Sequence, residues 1–206
     1  MSVLVSGFDP FGDDATNPSW DVARLLGERG PELVGTDVVA VRLPVTFAGA
    51  WPILCAAVRA HAPDVVLALG LAAGSTQVRL ERVAINVADA RRPDNDGAAP
   101  VDAPVVDGGP VAYWSGLPLK AALVALRELE VPATVSATAG TYVCNATFYA
   151  LMHHVATAGL SSRAGFVHVP RATDLALEDQ VRAVAQVARL ARTGAAEPVL
   201  AAGAES

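Results

Sequence analysis

The chain has 206 residues, a length that one compact domain accommodates, and 52% of them are hydrophobic against 17% charged. That balance excludes a disordered or low-complexity protein and leaves ample apolar side chain for a large core. Fifteen basic against 21 acidic residues give a net charge of −6, and the basic ones stand singly or in pairs such as Arg91-Arg92, so there is no basic stripe to track nucleic acid.

The chain opens on Val3–Ser6, which reads as the first β-strand of a mature protein, without the basic and long apolar regions of a signal peptide. A helix is expected over Ser19–Glu28, capped or opened by Ser19, then a strand over Asp37–Leu43 and a helix over Ala48–His61 that starts late because Pro52 belongs in a first turn. Val65–Leu69 and Val83–Val87 read as further strands. From Ala90 to Leu117 four prolines, four glycines and four aspartates break the rhythm, marking either a lid or binding loop or a solvated insertion. A helix over Lys120–Glu130, a strand over Thr134–Ala137, a helix over Asn145–Ala158, a strand over Gly165–Val169 and a helix over Leu175–Arg192 follow. The Ala/Gly-rich tail from Gly194 is expected to fray. Residues 131–162 carry no Asp, Glu, Lys or Arg, but Pro132, Gly140, Asn145, His153 and His154 interrupt them, so no membrane span is expected. Alternating strands and helices, with several strands continuously apolar, predict an α/β fold: three layers, α/β/α, around a twisted, mostly parallel central sheet.

Three kinds of side chain carry candidate chemistry. Cys144 lies in a glycine-containing loop directly before a helix, where free backbone N–H groups and the helix dipole favour a thiolate; the alternative is a small buried hydrophobe. Cys55, in mid-helix, reads as core. Two cysteines build no disulfide framework, which points to a reducing cytoplasm. Of the four histidines, His61 ends a helix, and His153 and His154 sit too far along the helix of Cys144 for direct contact. His168 stands at the C-terminal end of an apolar strand, where sites in open α/β sheets collect, and is either a base or a satisfied core histidine. Glu81, immediately before an apolar strand, is either an ion-pair partner of Arg79 or Arg82 or a buried carboxylate that orients an imidazole. Gly70-Leu-Ala-Ala-Gly74 is a weak candidate for anion binding. Phosphate-loop, dinucleotide-binding, serine-hydrolase and zinc-ligand patterns are absent from the sequence.

Ser6-Gly-Phe-Asp-Pro-Phe-Gly12 with Asn17-Pro-Ser19, Glu81-Arg-Val-Ala-Ile-Asn86, Asp89-Ala-Arg91 with Pro93-Asp-Asn95, Ala112-Tyr-Trp-Ser-Gly-Leu-Pro-Leu-Lys120, Ser136-Ala-Thr-Ala-Gly-Thr-Tyr-Val-Cys-Asn145 and Phe166-Val-His-Val-Pro170 occur in this order. Together they resemble the type I pyroglutamyl peptidases (pyrrolidone-carboxylate peptidases), cysteine peptidases with a phosphorylase/hydrolase-like fold. The resemblance spans about residues 3–170. It implies a Cys144–His168–Glu81 triad, removal of an N-terminal pyroglutamyl residue from peptides through a thioester, no cofactor or metal, a cytoplasmic location and a homo-oligomer, tetramer or dimer. Phe8 and Phe11 are expected to wall the lactam slot, with Tyr142 or Val143 opposite and Arg91 assisting by charge; Asn17 braces the loop. Three positions depart from the family pattern: Asp13 in place of a second glycine, Arg79 where Ser or Thr is usual, and Arg171-Ala-Thr-Asp174 after Pro170. A cysteine amidase acting on another small cyclic amide, or an inactive binding module on the same scaffold, are the rival readings.

Overall fold

The computed structural model describes residues 2–12 and 14–203, so the departure at Asp13 lies outside the described residues. Six strands form the main sheet: β1 (Val3–Phe8), β2 (Val38–Leu43), β3 (Val65–Leu71), β4 (Val78–Glu81), β7 (Ala133–Ser136) and β8 (Arg163–Val169), in the order β2-β1-β3-β8-β4-β7. All neighbours pair in parallel except β4 and β8, which run antiparallel. Two short strands, β5 (Val83–Ile85) and β6 (Ala112–Trp114), make a separate antiparallel pair.

Successive side chains of a strand leave on opposite faces, so each buried strand feeds two cores. Val3 and Val5 of β1 join one core with helices α1 (Pro18–Leu33), α3 (Leu119–Glu128) and α5 (Leu177–Thr193). Leu4 and Phe8 join the other, with α2 (Ala50–His61) and α4 (Val143–Thr157). The result is the expected three-layer α/β/α sandwich around a mostly parallel sheet.

The first helix shows how local chemistry sets these elements. Asn17, not Ser19, is its N-cap: the Asn17 carboxamide oxygen accepts from Ser19 N, and Pro18 takes the first helical position, where no N–H is needed. Ser19 lies inside the first turn, and its hydroxyl accepts from Phe8 N at 3.0 Å, tying the helix to the end of β1. The helix runs past Glu28 to Leu33 through a kink at Arg29, because Pro31 supplies no N–H and its ring crowds the preceding turn.

Helix α4 is buried on nearly all sides, since the β5–β6 pair covers the face turned away from the sheet. Its fully buried Asn145 accepts from Ile85 N at 3.0 Å and donates to Ile85 O and Val87 O, both at 2.9 Å. Tyr149 donates to Pro110 O at 2.6 Å. The Pro/Gly-rich 90–117 segment is largely exposed but not free: β6 lies within it, and Asp94 pins its start. The buried Asp94 carboxylate accepts from Phe47 N, Asp96 N and Ala98 N. Burial works to raise its pKa, but these backbone donors outweigh it and hold Asp94 below the usual carboxylate range.

The tail expected to fray is held at several points, because it caps a helix that has no side-chain cap of its own. Glu197 accepts from Lys120 N and Ala121 N at the start of α3, and Leu200 and Ala202 pack on the first core. Among the described residues no helix is long and apolar enough to cross a membrane.

Replacing Asn145 by Ala strips three hydrogen bonds and leaves the Ile85 and Val87 backbone groups without partners. We expect a loss of about 2–3 kcal/mol in urea denaturation, with the slope unchanged; a loss under about 0.5 kcal/mol would show that these bonds do not hold β5 to α4.

Candidate active site

Strand parity brings the reactive side chains to one face. Val167 and Val169 of β8, like Val78 and Leu80 of β4, point into the core beneath α1, α3 and α5. Phe166 and His168, and with them Arg79 and Glu81, therefore face the α2/α4 layer. The antiparallel register pairs Arg79 with His168 and Glu81 with Phe166, so Glu81 lies diagonally across from His168, within reach of a long side chain. His168 Nδ1 donates to Glu81 Oε1 at 2.8 Å; Glu81 is fully buried and His168 nearly so. Sequence reading placed Glu81 ahead of the strand Val83–Val87. It is instead the last residue of β4, and the chain leaves the main sheet immediately after it.

Cys144 is the second residue of α4, whose N-cap Tyr142 offers no side-chain acceptor, so the first-turn N–H groups are left for another partner. Its sulfur lies beside His168 and raises the proton affinity of that ring. With Nδ1 committed to Glu81, Nε2 is the ring atom that serves the thiol. Gly70 makes this approach possible. It pairs with His168 across β3 and β8, and a Cβ there would lie 2.8 Å from Cys144 Sγ and 2.8 Å from the Phe166 ring. Gly70 holds room for a sulfur, a role the weak anion-loop reading missed; a glycine at the C-terminal end of an otherwise fully apolar strand was the available signal.

The electrostatics follow from the same contacts. Burial disfavours the imidazolium, but the charge of Cys144 and its hydrogen bond, followed by those of Glu81, outweigh it and push His168 up to about 9. At neutral pH this imidazole is therefore protonated beside the sulfur.

A cavity of about 240 Å³ opens onto Cys144. This is smaller than the ~300 Å³ lower bound of drug-sized sites and suits a compact ring. Phe8, Phe11, Val45, Tyr142 and Val143 line it. Tyr142 sits 5.4 Å from Phe11 and 5.3 Å from Phe47, ring centroid to centroid, and its hydroxyl donates to Pro93 O. Phe8 is both wall and core.

Arg91 is exposed and does not line the cavity; Arg92 does. Consecutive side chains leave this bend in different directions, and the Arg92 guanidinium stacks 4.1 Å from the Phe11 ring centroid. Arg171, from the departing segment after Pro170, also reaches the cavity, where it pairs with Asp14. Asn17 lines it too, while its amide donates to Asp9 O at 2.8 Å and braces the loop. The other histidines lie elsewhere: His153 meets Tyr113, His154 meets Trp51, and His61 is exposed at the end of α2.

A thiol at a helix N-terminus, an imidazole on a neighbouring strand and a buried carboxylate behind it form the constellation of a cysteine-type hydrolase. The chain's sequence relationships agree. The model of the pyroglutamyl peptidase family matches residues 1–193. A pyrrolidone-carboxylate peptidase of Streptomyces coelicolor is 51% identical over 172 residues, 84% of this chain and 79% of that one. Another, of Thermococcus onnurineus, is 46% identical over 178 residues, 86% and 88%. The crystal structure of Bacillus amyloliquefaciens pyroglutamyl peptidase I superposes with a TM-score of 0.89 at 37% identity, covering 93% of this chain and 97% of that one. The chain belongs to the pyroglutamyl peptidase family.

Because Cys144 is the largest favourable contributor to the raised His168 pKa, Cys144→Ala should lower it. In an NMR titration the wild-type ring is expected to titrate at about 9 and the variant clearly below that. An unchanged midpoint would contradict the pairing.

Proposed function

We propose that this protein is a cysteine peptidase that removes an N-terminal pyroglutamyl (5-oxoproline) residue from peptides, with Cys144 as nucleophile, His168 as acid and base, and Glu81 as the group that orients His168. The observation that carries this reading is the buried Glu81–His168 hydrogen bond, set beside a sulfur that opens onto a ring-sized cavity with a partly apolar wall.

Cys144 sulfur, as thiolate, attacks the carbonyl carbon that joins the lactam ring to the next residue. The developing oxyanion is met by the unpaired N–H groups of the first turn of α4, fixed dipoles that need not reorganise. His168 gives its proton to the departing amine as the carbon–nitrogen bond breaks, leaving a thioester. The same imidazole, now neutral, takes a proton from water as its oxygen attacks the thioester, and 5-oxoproline leaves while sulfur regains its negative charge beside the reprotonated ring. Glu81 keeps Nδ1 protonated and Nε2 aimed at the sulfur throughout.

Specificity follows from what the substrate lacks. Pyroglutamate has neither a free ammonium nor a side-chain carboxylate, so the walls of Phe8, Phe11, Val45, Tyr142 and Val143 accept it. A glutamyl terminus would have to bury charge there at several kcal/mol. We place the enzyme in the cytoplasm, since both cysteines are free and a thiolate nucleophile is lost on oxidation. We also infer a homo-oligomer, supported by the exposed apolar side chains Val111 and Trp114 at β6.

Release of 5-oxoproline from a pyroglutamyl dipeptide tests the reading. Cys144→Ser should lower kcat by about 10³-fold or more while the fold is kept; wild-type turnover in that variant would overturn it. Phe11→Ala should raise KM for a pyroglutamyl amide about tenfold with little change in Tm. Equal losses in both would assign Phe11 to the core instead.

A further inference from the structure

Arg79 is drawn into the hydrogen-bonded line without touching the cavity. On β4 it stands directly opposite His168, two residues before Glu81 on the same face. Its Nε lies 3.4 Å from Glu81 Oε1, the same oxygen that accepts from His168 Nδ1, while Glu81 Oε2 is buried with no hydrogen-bond partner among the described residues. The rest of the guanidinium is fixed independently of Glu81: Nη2 donates to Ser136 Oγ at 2.7 Å and to Thr138 O at 3.2 Å on β7 and the turn beyond it. Arg79 is thus a permanent cation anchored on one strand and leaning on the carboxylate of the site.

We infer that Arg79 is a positioning residue that shares Glu81 with His168 and limits how tightly the imidazole holds its proton. The inference rests on the peptidase reading of the same site. His168 has opposed duties: it must carry a proton to keep the sulfur anionic, yet surrender that proton to the leaving amine. An acid that holds its proton too firmly is a poor donor, so catalysis favours a pKa not far above the working pH. The charged groups facing His168 are Cys144 from α4 and Glu81 and Arg79 from β4; the neighbour on β3, Gly70, has no side chain. Two anions raise the proton affinity of the ring, and one cation opposes them. Arg79 opposes twice, by repelling the imidazolium and by drawing on Oε1, the atom that stabilises Nδ1–H.

The test compares wild type with Arg79→Gln, which removes the charge but keeps a side chain able to hydrogen-bond, and Arg79→Lys, which keeps the charge. For each, the pH dependence of kcat/KM on a neutral pyroglutamyl amide is measured, together with the NMR titration of His168 without substrate and the Tm. In Arg79→Gln the alkaline limb and the His168 midpoint should both move up by about half a unit or more, with kcat at neutral pH down about 3- to 10-fold and KM nearly unchanged. Arg79→Lys should restore the wild-type midpoint. A midpoint that stays or falls in Arg79→Gln overturns the inference even if Tm drops, because a purely structural tie to β7 would lower Tm without moving the titration. If the wild type fails to cleave pyroglutamyl amides, the peptidase reading fails, while the substrate-free titration still decides what Arg79 does to His168.

Discussion

The proposed chemistry depends on one contact across one join. In a six-stranded sheet whose other neighbours are parallel, β4 meets β8 antiparallel, and that reversal sets Glu81 diagonal to His168 on the face beneath α4. A buried carboxylate and a buried imidazole are each costly alone; bonded at 2.8 Å they satisfy one another and present Nε2 to the thiol at the start of α4. A shift of β4 by one residue would turn Glu81 into the opposite, wholly apolar core, where no imidazole waits for it. The surrounding structure works to prevent that shift. β4 is clamped between β8 and β7, Arg79 ties it to Ser136 and Thr138, and Asn145 fastens α4 to the chain just beyond Glu81.

Much of this frame was legible in the sequence because burial on both faces leaves an unmistakable mark. Val3–Ser6, Val65–Leu69 and Gly165–Val169 are mostly apolar runs, and each lies in a strand of the main sheet. β4 escaped notice for the reason that makes it functional. Val78 and Leu80 feed the core, but Arg79 and Glu81 between and after them face the other way, so the run lacks a continuous apolar signal. β6 hides among prolines and glycines that ordinarily signal irregular chain. The cap of α1 falls on Asn17 rather than Ser19 because Ser19 is spent on binding the end of β1, a tertiary demand that no local pattern reports.

The site was legible as residue types and only partly as geometry. Cys144, His168 and Glu81 each had a bland alternative when taken singly, and the motif resemblance, not periodicity, singled them out. Phe8, Phe11, Tyr142 and Val143 do line one cavity, but the neighbouring cation is Arg92 rather than Arg91, a choice set by the direction of a single bend. Gly70 was visible as a glycine, yet its purpose, leaving 2.8 Å for a sulfur where a methyl group would stand, exists only between a strand and a helix remote in sequence. The apolar part of the cavity wall, Phe8, Phe11, Val45, Tyr142 and Val143, suits a blocked, uncharged peptide terminus, while Asp14, Arg92 and Arg171 make up a charged part of the lining.

Alkylation by iodoacetamide, followed residue by residue in the folded protein, tests the central claim most directly. A sulfur activated by the imidazole beside it should react at Cys144 far faster than at the buried Cys55. Removing the imidazole in His168→Ala should erase most of that difference. Equal rates at the two cysteines in the wild type would contradict the account.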